Sequence, residues 1–345
     1  MRICILGATG LVGRETLTLV DRAWPNAELD LYASRDQEMT HADRTLPVRA
    51  ALRLEDPETE GGDLAFVALD DQHSRRYVPR LLELGYRVID KSNAFRMDPE
   101  VPLVVGGVNC EALTGEVKLA ANPNCTTIPL TLAIAPLARK WDVVSIAAAS
   151  YQAISGAGVA ALDDFLAKSK AGYERADRLG AHLDASDYSG NTVPHAGKTD
   201  DSGFSSEERK LVAESRKILS RPALAVSAQC CRVPVAVGHY INAWIELGES
   251  VTLAEVEAVL ADESSSPFVR LLPGPQGDGL SALHCVADRD RALVGRIRHD
   301  LRDEMRRTLC VTVAADNLRL GAATNAVRAA NRWFPGQDAD LAVVR

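Results

Sequence analysis

Cys125 follows Asn122-Pro123-Asn124 and precedes Thr126-Thr127-Ile128-Pro129. The apolar stretch Val117–Ala121, broken by Lys118, runs into this segment. The pattern predicts a helix starting at the cysteine, capped by Thr126 or Thr127, with Pro129 in its first turn. Such a helix end carries partial positive charge and favours thiolate over thiol. A free cysteine has a pKa of about 8.5, so lowering it makes a nucleophile at neutral pH. Taken alone, the segment is more simply read as holding a buried structural cysteine.

Three further groups of residues could serve such a nucleophile. In Ser150-Tyr151-Gln152-Ala153-Ile154-Ser155-Gly156-Ala157-Gly158, a neutral amide stands beside a glycine loop. Gln152 could orient a carbonyl or a water, or be a satisfied buried amide. Arg232 and His239 are seven residues apart, which would aim them at opposite faces of one regular strand. Pro234 and Gly238 break that regularity, so both could reach one cleft; a structural histidine is the plainer alternative. Glu207 and Lys210 share a helix face at i, i+3, as a solvated charged turn also would.

At the N-terminus, the short apolar run Arg2–Leu6 leads into Gly7-Ala8-Thr9-Gly10-Leu11-Val12-Gly13 and then a helical pattern through Leu17 and Val20. Strand, glycine turn and helix form the context of a dinucleotide fingerprint. Gly7 and Gly10 permit a tight turn and close approach to a pyrophosphate, Gly13 permits close helix–strand packing, and the helix N-terminus receives the phosphates. A second strand, Glu28–Ala33, ends in Ser34-Arg35. A hydroxyl and a guanidinium there suit the 2′-phosphate of NADP, where NAD sites place a carboxylate. Asp36 follows at once, and a solvated surface arginine is the alternative.

These residues need a scaffold. At 345 residues two domains are expected. Strand patterns at Asp63–Leu69 and Tyr86–Asp90, with a helix over Ser74–Leu84 between them, predict a doubly wound, mainly parallel sheet. Beyond Cys125, longer strands at Val143–Ala149, Leu224–Val235, Tyr240–Leu247 and Thr308–Ala315 predict an α+β domain on a largely antiparallel sheet. Ala171–Gly203 reads as a long loop region and Gly321–Trp333 as a late helix. A net charge of −8 argues against a nucleic-acid partner. The uncharged window Val143–Leu162 is too polar to span a membrane, and the first residues lack the charge and apolar core of a signal peptide. Seven cysteines without paired spacing predict reduced thiols in a cytoplasmic protein and no metal site; Cys230 and Cys231 would point to opposite faces.

Taken together, GATGLVG (Gly7–Gly13), IDKSNAFRMDP (Ile89–Pro99), ANPNCTTIPL (Ala121–Leu130), SYQAISGAG (Ser150–Gly158), EERKLVAESRKIL (Glu207–Leu219), RVPVAVGH (Arg232–His239), VGRIRHDL (Val294–Leu301) and ADNLRLGAATNAV (Ala315–Val327) resemble the aspartate-β-semialdehyde dehydrogenase family, in order and over nearly the whole chain. The resemblance implies a Rossmann domain at 1–121 binding NADP(H), a catalytic and dimerisation domain at 122–316, and a C-terminal helix at 317–345 returning to the first domain. It implies reductive dephosphorylation of an aspartyl phosphate, with inorganic phosphate and a short acyl phosphate or aldehyde as ligands, in a homodimer or a dimer of dimers. Carried over by motif, Cys125 is the nucleophile, His239 the general acid/base, and Gln152 positions the acyl carbonyl. Arg96, Lys210 and Asn124 hold phosphate; Arg232 clamps the α-carboxylate and Glu207 meets the ammonium. Thr9–Gly13, Ser34, Arg35, Ser155, Gly156 and Asn317 touch the cofactor.

The chain departs from the family pattern at Lys91 and Asn93 (commonly Asn-Ser-Ser across this stretch), at Gly106-Gly107 before Val108-Asn109 (Pro-Glu), at Val159 (a basic residue) and at Tyr240 (Ser). These leave room for a paralogue acting on a modified aspartyl or other acyl phosphate. The related N-acetyl-glutamyl-phosphate reductase class uses a Gly-Cys-Tyr context that Asn124-Cys125-Thr126 does not match. A non-catalytic nucleotide-binding paralogue would have lost the thiol or the histidine, and this chain keeps both.

Overall fold

The computed structural model describes residues 1–173, 187–274 and 276–341. The chain divides into two compact units, Met1–Asn124 with Ala322–Arg345, and Cys125–Gly321.

The first unit begins with β1 (Arg2–Leu6), α1 (Leu11–Ala23) and β2 (Glu28–Ala33), followed by β3 (Gln37–His41) and β4 (Arg44–Ala50). Next come β5 (Leu64–Val67), α2 (Asp71–Glu83), β6 (Arg87–Asp90) and β7 (Leu119–Ala121). The strands form one seven-stranded sheet, β3-β4-β2-β1-β5-β6-β7, parallel except for the β3–β4 hairpin. The sequence pattern missed this hairpin because its turn, Ala42-Asp43, adopts positive φ (46° and 62°) without the glycine or asparagine that usually signals it. β1 and β5 are buried on both faces, which is why they read as unbroken apolar runs.

In the second unit, α3 (Thr127–Lys140) leads into β8 (Val143–Gln152), α4 (Val159–Tyr173), α5 (Ser206–Ile218), β9 (Ala225–Arg232) and β10 (His239–Leu247). α6 (Leu253–Ala261), β11 (Val269–Leu271), α7 (Ala282–Ala287), β12 (Ala292–His299) and β13 (Thr308–Ala315) complete it. The sheet order is β11-β12-β13-β10-β8-β9; β12–β13, β13–β10 and β10–β8 are antiparallel, β8–β9 and β11–β12 parallel. Part of the loop expected from Ala171 is helical, since α4 runs to Tyr173; the stretch of that loop at 174–186 lies outside the described residues.

α5 opens with a capping box in which Ser205 and Glu208 satisfy each other's backbone N–H. Glu208 also accepts from Cys230 N at 3.0 Å, tying α5 to β9. The late helix starts with a π turn at Arg319–Thr324 and continues as α8 (Asn325–Asn331). Ala326, Val327 and Ala330 of α8 join Leu17 and Val20 of α1 in the core of the first unit. Among the described residues no helix is long and apolar enough to cross a membrane.

Candidate active site

Cys125 is half-buried, two residues before α3. The capping expected of the threonines does not occur. Thr126, at the N-cap, has helical dihedrals (φ −90°, ψ −35°) and no side-chain capping bond; a capping side chain reaches the N2 or N3 N–H from an extended residue. Cys125 Sγ lies 3.2 Å from His239 Nε2, joining residues 114 positions apart.

The sheet explains how Gln152, Arg232 and His239 come together. Arg232 ends β9 and His239 begins β10, and these strands flank β8. Gln152 pairs with Arg232, while Tyr151 pairs with Tyr240, so His239 and Gln152 are the next residues along their strands. All three are buried. The interruption expected at Pro234 and Gly238 is present: the two residues stand on two strands, each on the buried face, with 233–238 connecting them.

Ala153 organises the pair. Its backbone N–H donates to His239 Nδ1 at 3.0 Å and its carbonyl accepts from Arg232 Nη1 at 2.8 Å. A backbone N–H can only donate, so Nδ1 is the acceptor and neutral His239 carries its proton on Nε2, facing the sulfur. Burial, and next the positive charge of Arg232, push the His239 pKa down to about 3. The arrangement is a neutral imidazole donating Nε2–H to Cys125 and not an imidazolium.

Glycines make room at two points. A Cβ on Gly156 would lie 2.9 Å from Arg232 Nη1 and 3.3 Å from His239 Cε1. One on Gly321, inside the π turn, would lie 3.0 Å from both Cys125 Cβ and Cys125 O.

Gln152 is buried, and its Nε2 donates to Ser150 Oγ at 3.2 Å. Lys210 Nζ pairs with Glu207 Oε1 at 2.8 Å on α5. Asn317 is buried, its Oδ1 accepting from Gly238 N at 2.9 Å and its Nδ2 donating to Ser155 Oγ at 2.9 Å. Sequence reasoning missed Ala153, whose contribution is its peptide, and Glu208, whose place in the Ser205-to-Glu208 spacing was its only signal.

In the first unit, the fingerprint loop has the shape its glycines predict. Gly7 has φ +89°, and a Cβ there would lie 2.5 Å from Ala68 O; one on Gly13 would lie 2.1 Å from Gly7 O. A Cβ on Gly10 meets only Gly7 O, at an ordinary 3.4 Å, so no protein neighbour demands glycine there. The absence of a side-chain cap on α1 completes a cradle that fits a pyrophosphate. Thr9, Leu11 and Val12 lie on this turn and helix start. Ser34 and Arg35 are exposed after β2, and Asp36, which clouded the case for a 2′-phosphate, is held by Arg53 (3.0 and 2.6 Å) and Ala50 N. Arg96 is buried and donates to Asn122 O (2.9 Å) and Lys91 O (2.7 Å); Asn124 is buried too, two residues after Asn122.

Three departures from the family pattern answer to packing. Lys91 Nζ donates to Thr16 Oγ1 at 2.5 Å and lies 5.4 Å from the Phe66 ring centroid. A Cβ at Gly106 would lie 3.0 Å from Arg328 Cβ, and Gly106 N donates to Asn325 Oδ1. Tyr240 packs edge-on against Tyr151 at 6.1 Å. Asn93 N donates to Asp71 Oδ1, and Val159 is exposed at the start of α4.

Residues 2–116 match the family described as semialdehyde dehydrogenase, NAD binding domain, and residues 134–320 that described as semialdehyde dehydrogenase, dimerisation domain. The chain is 36% identical to aspartate-semialdehyde dehydrogenase of Aquifex aeolicus over 335 residues, 95% of this chain and 96% of that one. It is 34% identical to the Synechocystis enzyme of the same name, covering 96% of each. A crystal structure of aspartate semialdehyde dehydrogenase II from Vibrio cholerae complexed with ASA superposes with a TM-score of 0.85 at 30% identity, over 96% of this chain and 97% of that one. The chain belongs to the aspartate-semialdehyde dehydrogenase family of oxidoreductases.

Proposed function

We propose that the protein reduces L-4-aspartyl phosphate to L-aspartate 4-semialdehyde and inorganic phosphate, reversibly, through a thioester on Cys125, in the biosynthesis of lysine, threonine, methionine and isoleucine. The observation that carries this reading is the 3.2 Å contact between Cys125 Sγ and a histidine whose proton is held on the facing nitrogen.

The Cys125 thiol gives up its proton to solvent, and the Nε2–H of His239 stabilises the resulting thiolate, which attacks the acyl carbon. The S–C bond forms, the C–O bond to phosphorus breaks, and phosphate leaves with a proton from solvent. Arg96, Lys210 and Asn124 hold the phosphate. Gln152 positions the acyl oxygen, Arg232 clamps the α-carboxylate with its planar fork, and Glu207 meets the ammonium. Gly7, Thr9–Gly13, Ser34, Arg35, Ser155 and Gly156 would hold NADPH, which would supply the hydride that reduces the thioester. On collapse the C–S bond breaks and Cys125 leaves as thiolate, again accepting from Nε2–H. In these steps His239 works as a hydrogen-bond donor to the sulfur; taking up a second proton would set Nδ1–H against Ala153 N–H.

A homodimer is supported by an uncovered area of the second sheet. β8 alternates, with Ile146 and Ala148 buried and Ala147 and Tyr151 exposed; Ser227 and Gln229 of β9 are exposed and pair with Ala147 and Ala149. Light scattering on the purified protein tests this, a monomer at micromolar concentration removing it.

The test of function is phosphate-dependent reduction of NADP with L-aspartate 4-semialdehyde. Cys125→Ser should lose about 1,000-fold or more in kcat and keep NADP affinity within about twofold, because no cofactor contact is assigned to the thiol. Turnover of another aldehyde but not this one favours a paralogue; substantial activity in Cys125→Ser removes the covalent route.

A further inference from the structure

We propose that Asn317 is a positioning residue: through Gly238 and Ser155 it holds the His239 imidazole on the Cys125 sulfur. This rests on the Cys125–His239 reading above, and it assigns Asn317 a task different from the cofactor contact implied by resemblance.

The amide of Asn317 is 2% exposed and joins two separate segments. Its Oδ1 accepts from Gly238 N at 2.9 Å, which fixes the orientation of the amide, since that donor can meet only the oxygen. Nδ2 is thereby directed to Ser155 Oγ, also at 2.9 Å. Gly238 is the residue before His239, and Ser155 is the residue before Gly156.

Both segments define the position of the imidazole. Gly238 turns the chain with φ +103°, and a Cβ there would lie 2.9 Å from Cys285 Sγ and 3.0 Å from Ala282 O, so the turn into His239 requires glycine. Gly156 bounds the ring on its edge, at 3.3 Å from Cε1 and 3.4 Å from Nε2 for a Cβ. Ala153, in the same short segment, holds Nδ1. The side chain of Asn317 is therefore a link between the peptide that carries the ring and the loop that orients it, beside the backbone bonds from Ile154 N to Val235 O (2.8 Å) and from Ser155 N to Ala236 O (3.0 Å).

The base of the link is itself fixed. Asp316 Oδ1 accepts from Leu318 N (2.9 Å) and Arg319 N (3.0 Å), and its Oδ2 accepts from Arg289 Nε (2.7 Å). Losing the amide would leave the Gly238 N–H buried without that acceptor. The ring would then sample positions in which Nε2–H no longer meets the sulfur.

The readout is the pH dependence of Cys125 alkylation by iodoacetamide, followed by peptide mass analysis so that other thiols are distinguished. The charged groups acting on His239, Arg232 and Glu207, are unchanged in the variants. In Asn317→Ala the alkylation midpoint should rise by about one unit toward the ordinary thiol value near 8.5. In the same variant kcat should fall by about 10- to 100-fold, with the Kd for NADP, from quenching of protein fluorescence, within about twofold of wild type. Ser155→Ala removes one arm of the link and should give a smaller shift in the same direction, which keeps the test decisive should Asn317→Ala not fold.

An unchanged alkylation profile in a folded variant overturns the proposal. So does a tenfold loss of NADP affinity with the profile intact, which makes Asn317 a cofactor contact. The alkylation readout needs no substrate, so a wild-type protein that fails to turn over aspartate semialdehyde sinks the functional reading and leaves this result interpretable.

Discussion

Arg232 and His239 are bonded to the two ends of one residue: Arg232 Nη1 to the carbonyl of Ala153 at 2.8 Å, and His239 Nδ1 to its N–H at 3.0 Å. A guanidinium and an imidazole held this close cannot both be charged without cost, and the guanidinium is always charged. The pair therefore fixes the protonation of the histidine as well as its orientation.

The tautomer is directly observable. Nitrogen NMR of selectively labelled histidine should show Nε2 protonated and Nδ1 bare from pH 5 to pH 8. An imidazolium signal from His239 anywhere in that range would overturn the assignment. The sign for stability follows from a folded pKa of about 3 against an ordinary 6.5. Between those values the unfolded chain binds the proton and the folded chain does not. The contribution is complete above pH 6.5 and is lost as pH falls toward 3, with a limiting slope of about 1.4 kcal/mol per pH unit. Denaturant midpoints for wild type and His239→Gln should converge as pH falls through this window, and parallel profiles would contradict the linkage.

Gly156→Ala tests the tightness of the same cluster. The added methyl would lie 2.9 Å from Arg232 Nη1, the end of a flexible side chain, so the fold should survive and the geometry should not. A fall of about 10- to 100-fold in kcat is expected, with little change in melting temperature. Activity within twofold of wild type would mean that the guanidinium moves aside harmlessly.

Much of this architecture was legible in the sequence where strands are mainly apolar and bounded by turn residues. The strands Arg2–Leu6, Glu28–Ala33 and Thr308–Ala315 occur with the bounds their patterns predicted, because each is buried over most of its length. β12 was not read. A register shift between Gly295 and Arg298 and a positive φ at Arg296 interrupt its period. The types of residue at the site were legible from Cys125, Gln152, Arg232 and His239, and the break at Pro234 and Gly238 let Arg232 and His239 reach one cleft, but the geometry of their meeting was not legible. It depends on strand order, which puts β9 and β10 on either side of β8, and on the peptide of Ala153, which carries no side-chain signal.

Arg232→Lys separates planarity from charge. Lysine keeps the positive charge but cannot offer parallel donors to a carboxylate while also serving the Ala153 carbonyl. The KM for aspartate semialdehyde should rise by about 10- to 100-fold, the equivalent of one or two charge-assisted hydrogen bonds. An unchanged KM would move the α-carboxylate clamp elsewhere.

Lys91 gives the clearest stability prediction. Its ammonium donates to Thr16 Oγ1 and lies against the Phe66 ring, partly buried between β5 and α1, and burial lowers its pKa from 10.5 to about 7. Between those values the unfolded chain holds a proton that the folded chain has released, so stability rises with pH from about 7 and levels off above 10.5. Below 7 the folded state carries the charge at its full desolvation cost. Lys91→Met fills similar volume without that cost, while Thr16 keeps its bond to Val12 O at 2.7 Å. The variant should be more stable than wild type by about 1–3 kcal/mol at pH 6, the range seen when buried charges give way to apolar side chains. Its advantage should shrink by pH 9, as the wild-type amine becomes neutral in the fold. Urea midpoints at the two pH values measure both effects, and a variant less stable than wild type at pH 6 would show that the ammonium, with Thr16 and Phe66, is a net stabilising contact.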